Sequence, residues 1–170
     1  MSWRAGAAVR QITLGDGGGI ASVVYGTVIV MATITAAYAS ERDPAKLAVI
    51  VMCTCTVLWV AHLHAHGIAE SIALRRRLTL TDIRHIALRE MGILGAAVLP
   101  CCVLTLGGAG LLDEPRSVWL ALGIGLATLA AQGVRYARLE RLGPFASARV
   151  VGLNLALGLV VVALKVAVLH

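Results

Sequence analysis

The sequence predicts an all-α, multi-pass membrane protein, a bundle of about five transmembrane helices. Three observations carry this. Apolar residues make up 59% of the 170-residue chain and charged residues 14%, against about 25% charged in soluble domains. The mean hydropathy is +0.86. The apolar residues gather into five runs, each near the ~20 residues a helix needs to cross a bilayer core. One transmembrane domain covering 1–170 is expected at this length.

The first run, 20–39, reads "IASVVYGTVIVMATITAAYA". The others fall at 47–69, 91–112, 118–136 and 150–169. Each is expected to be helical, because lipid offers the backbone no hydrogen-bond partners. The connections "SERDPAK" (40–46) and "DEPRS" (113–117) carry prolines that stop helices. The connection 74–90, "LRRRLTLTDIRHIALRE", reads as a cytoplasmic amphipathic helix capped by Thr81 or Asp82. Pro100, inside the third run, is expected to kink it. Gly123, Ala127 and Ala131, then Gly152 and Ala156, recur four residues apart. Small residues at that spacing allow close helix packing, in a bundle, a homo-oligomer or both.

Charge sets the orientation. With five spans, eleven of the fifteen Lys and Arg fall on the side shared by the N-terminal segment and the second and fourth connections. Four fall on the other side: Arg42, Lys46, Arg116 and Lys165. The expectation is a bacterial inner (cell) membrane protein with its N-terminus cytoplasmic. The net charge of +6 comes from arginines flanking the runs, so no nucleic-acid partner is expected. Residues 1–19 lack a compact apolar core and run into "GDGGG", so insertion is expected through the first span itself. Cys53, Cys55, Cys101 and Cys102 all lie in apolar runs, which reads as packing rather than disulfide pairing. Gly-x-Ser-x-Gly, His-Glu-x-x-His and Walker patterns are absent, and the expectation is a protein that is not an enzyme.

The second run ends in "LWVAHLHAHGIAE" (58–70), the most chemically loaded stretch. Residues four apart share a helical face. His62, His66 and Glu70 therefore form a stripe with Trp59 one turn below, while His64 points away. A metal site, a proton or ion path, and the wet end of a helix all fit these residues. His62 to Glu70 spans about 12 Å along a helix, too far for one ion, so no metal and no cofactor is expected. Histidine titrates near neutral pH and can relay protons. Tyr25, with Gly26 and Thr27, adds a polar patch in the first span.

Tyr25-Gly26-Thr27 and the Trp59 to His62 segment resemble motifs of uncharacterised small bacterial integral membrane proteins, a resemblance that covers most of the chain and implies no function. "RQITLGDG" (10–17), with Arg10, Asp16 and Gly17, resembles the Arg-x-x-x-Phe-Ser-Asp-Gly entry of the non-classical endolysosomal and bacterial potassium channels. Trp59 and His62 match part of that family's Trp-x-x-His-His, and Leu99-Pro100 its Leu-Pro. Leu14-Gly15 and Leu63 depart from the family pattern, as do five spans in place of six. The resemblance implies an oligomeric cation channel or transporter for potassium or protons. Arg10, Asp16, Trp59 and His62 would form a polar lock between spans one and two, and Val24, Val28 and Met31 the pore wall. Tyr25, His66 and Glu70 complete the expected ion path. The alternative is a non-catalytic scaffold or regulatory subunit of another membrane protein. A channel needs a wet axis; a scaffold needs a dry core and a broad apolar flank.

Overall fold

The computed structural model describes residues 16–168, which form α1 (Asp16–Ala37), α2 (Pro44–Leu74), α3 (Leu80–Glu90), α4 (Gly92–Gly108), α5 (Glu114–Leu139) and α6 (Pro144–Val168). Helices α1, α2, α5 and α6 are each long and apolar enough to cross a membrane. Helices α3 and α4 form a further pair, bent by 41°, that qualifies only when taken together.

The ends differ from expectation for identifiable reasons. Helix α2 begins at Pro44, because the Asp43 side chain accepts from the Ala45 N–H at 2.9 Å and proline suits the first helical position. It runs on to Leu74 and is stopped by Arg75 in the left-handed region (φ 50). Its 31 residues span roughly 46 Å, well beyond a ~30 Å hydrocarbon core. The cap of α3 is Thr79, not Thr81 or Asp82. Its hydroxyl accepts from the Asp82 N–H while the Asp82 carboxylate accepts from the Thr79 N–H, a capping box. Arg76 donates twice to the same carboxylate, at 2.7 and 3.2 Å, and with Thr79 holds the Asp82 carboxyl well below the usual range. Pro100 sits within α4 without ending it, and the 41° bend lies earlier, between α3 and α4.

Helix α1 is the hub. It packs against all five other described helices, while α2 and α6 flank it without touching each other. Val30, Met31 and Ile34 of α1 have no exposed surface, and neither do Leu47, Val51, Leu104, Val118 and Leu129 around them. Glycines set the closest approaches, above all Gly26 of α1 against the backbone of Ile93. The stripe Gly123, Ala127 and Ala131 faces outward, as do Gly152 and Ala156. Cys55 and Cys101 are buried, Cys53 and Cys102 exposed, and all four are free thiols.

Candidate functional site

The polar groups at one end of the bundle converge where α3 stops. A helix ends with carbonyls that lack an intrahelical partner. Here two of them are satisfied by other helices. The Trp59 indole N–H donates to the Ala87 carbonyl at 3.2 Å. The Ser22 hydroxyl donates to the Arg89 carbonyl at 3.1 Å, shared with Gly19 at 3.2 Å. Between them, Met91 N–H closes back on Leu88 at 3.3 Å. Trp59 and Ser22 thus tie α2 and α1 to the same break.

Glu90 lies at that break and is 5% exposed. Its carboxylate is 3.3 Å from Arg89 Nε and 3.7 Å from His66 Nδ1. It also precedes the first turn of α4, whose positive end favours an anion. His66 and His62 continue the line. Their rings are 6.0 Å apart, and the His62 ring stacks at 4.8 Å, tilted, on Tyr25 of α1. The His62 Nδ1 donates to the Leu58 carbonyl and His66 Nδ1 to the His62 carbonyl, each at 3.0 Å. A carbonyl cannot donate, so both Nδ1 atoms carry the proton. In the neutral rings the lone pair is therefore at Nε2.

Tyr25, Trp59, His62 and His66 are thus brought together. Glu70 is not part of the group; it is half-buried further along α2, where its charge acts on Arg76. Arg10 lies outside the described residues, and Asp16 is described only as the first residue of α1, so the contact expected between them and His62 lies outside what is described. Of the expected pore wall, Val24 and Val28 are half-buried against the core, and Met31 is sealed beside Gly125. His64 points away from the stripe into a surface groove. Among the described residues, no three His, Cys, Asp or Glu side chains come together to hold a metal ion.

Sequence reasoning missed Glu90, Arg89 and Ser22. The signal for Glu90 was present: Ile83, Ile86 and Glu90 recur at i, i+3 and i+7, which places the carboxylate on the buried edge of an amphipathic helix. At the opposite end of α1 is a second polar group. The Arg42 guanidinium lies 4.3 Å over the Tyr38 ring and 3.8 Å from Glu114. Burial, then the Glu114 carboxylate, push the Tyr38 hydroxyl above its usual range. No protein-family model, curated protein or solved structure matches the chain.

Proposed function

We propose that this is a multi-pass membrane protein acting through lateral contact, as a non-catalytic scaffold or regulatory subunit. The observation that carries this is the sealed stretch of α1 at Val30, Met31 and Ile34. It lies between the polar group at Glu90 and the one at Tyr38. The outer flank supports the same reading. Leu153, Leu157, Leu159, Val160 and Leu164 of α6 are exposed, as is the small-residue stripe of α5. A self-association through that α5 stripe would use the close approach that small residues allow. Purified protein in liposomes is expected to pass no potassium, sodium or protons. Cysteine at Ala127 is expected to cross-link two copies in the membrane.

A second reading, cation or proton movement, is favoured by one feature: the succession Tyr25, His62, His66, Glu90. Flux that disappears in both His66→Ala and Glu90→Gln would overturn the scaffold reading and establish this one.

The orientation proposed has five crossings with the arginine-rich ends of α2, α3 and α5 in the cytoplasm. With native cysteines removed, Ser40→Cys and Pro115→Cys should react with an impermeant thiol reagent from outside. Thr79→Cys and Gly143→Cys should react only after permeabilisation. Labelling of Ser40→Cys and Thr79→Cys from the same side would exclude this topology.

A further inference from the structure

The last three turns of α2 stand clear of the bundle, and α3 folds back beside them. Leu63, Gly67 and Ile68 of α2, with Leu78, Ile83 and Ile86 opposite, line an open groove of about 590 Å³. The groove also touches Val60 at one end and Ile72 at the other. That stretch of α2 is roughly 18 Å long at 1.5 Å per residue, close to one leaflet of a ~30 Å core. Its walls are apolar except for His64, part-way along α2, and for Ser71 and Arg77, which enter the lining near the connection.

The connection is built to present Arg77. Ser71 donates to the Arg76 carbonyl at 3.1 Å, and Arg76 itself is committed to Asp82. Arg77 is exposed and has no ion pair among the described residues. A free guanidinium at the polar end of an apolar slot is complementary to a phosphate on a hydrocarbon chain.

The geometry points to a binding site for one anionic phospholipid, with an acyl chain in the groove and the headgroup phosphate on Arg77. The slot has room at Gly67, where a Cβ would make only an ordinary contact with Leu78 Cδ1, at 3.5 Å. A longer side chain at 67 would fill the slot without changing any charge. Arg77 supplies the preference among headgroups, and the groove supplies the rest of the affinity.

The inference rests on the chain being membrane-embedded, which resistance to carbonate extraction tests separately. The full chain in detergent is titrated with phosphatidylglycerol or phosphatidylcholine of matched acyl chains, and bound lipid is counted by native mass spectrometry. One phosphatidylglycerol is expected to bind about fivefold tighter than phosphatidylcholine, whose choline neutralises its phosphate; that is the worth of one arginine beside a net-negative lipid. Arg77→Ala should lose that preference and Arg77→Lys retain most of it. Gly67→Leu should lose both lipids while Gly67→Ala keeps them, with unchanged melting confirming the fold of each. Equal binding of the two lipids by the native chain overturns the site, as does full phosphatidylglycerol binding by a well-folded Gly67→Leu.

Discussion

Replacing Gly26 with leucine is expected to abolish the native bundle, and Gly26→Ala to destabilise it by about 1–3 kcal/mol, the usual range for overpacking a closed contact. A Cβ at 26 would sit 2.7 Å from the Ile93 Cα and 3.0 Å from its carbonyl oxygen. Both are backbone atoms, so no rotamer change can relieve the clash. The partner helix shows the same dependence. A Cβ on Gly92 would strike the Ser22 hydroxyl and come within 2.9 Å of the Val23 amide. Helices α1 and α4 therefore meet backbone to backbone through a glycine on each, and α1 is the helix on which every other described helix packs. Thiol reactivity gives a direct readout. Cys101 is buried and Cys102 exposed in the native chain. Gly26→Leu should make Cys101 react as fast as Cys102, and cooperative melting should be lost. Gly95 is the control, since nothing lies within 4 Å of a Cβ there, and Gly95→Leu should melt as the native chain does. Native melting in Gly26→Leu would mean that α1 and α4 do not cross at this point.

The helices were legible because hydrophobic runs of membrane length have few alternatives: the runs at 20–39, 47–69, 118–136 and 150–169 fall largely on α1, α2, α5 and α6. Their ends were less legible, because they depend on single side-chain bonds such as Asp43 to Ala45 and Thr79 to Asp82. The packing face was only half legible. Four-residue spacing marked Gly123, Ala127 and Ala131 as a smooth face but could not say what it meets. Inside the chain the close approaches instead use Gly26, Gly92, Gly107, Gly108, Gly125, Gly133 and Gly158, which share no single spacing. The Trp59, His62 and His66 cluster was visible from helical periodicity. Two carboxylates were expected beside it, Asp16 in the lock and Glu70 on the same helix; Asp16's contacts lie outside what is described, and Glu70 is not part of the group. The carboxylate described there is Glu90, across the α2–α3 connection, which the chain reversal after Arg75 brings beside His66.

Glu90→Leu is expected to stabilise the protein, by about 1–4 kcal/mol. The carboxylate is poorly compensated, with one long side-chain hydrogen bond, from Arg89 Nε at 3.3 Å. Its side chain is 7% exposed, yet its nearest cation atoms stand 3.3 and 3.7 Å away. His66 already gives its Nδ1 proton to the His62 carbonyl, so it offers Glu90 charge only when doubly protonated. Arg89 is 23% exposed and can turn to water if Glu90 is removed, leaving no stranded cation. A leucine of similar volume would instead join Ile86 and Ile93, both buried beside it in sequence. Glu90→Ala separates charge from packing, because it removes the same charge but leaves a gap, and should fall below Glu90→Leu by about 2 kcal/mol or more. Denaturation of the three proteins in one detergent orders them. A destabilising carboxylate at a helix break, beside two histidines with fixed tautomers, is the feature on which the second reading, cation or proton movement, rests. If Glu90→Leu instead loses about 3–5 kcal/mol, the loss expected on breaking a buried pair, then Glu90 with Arg89 and His66 is a structural ion pair. In that case the junction of α1, α2 and α3 holds the bundle together and carries no proton chemistry of its own.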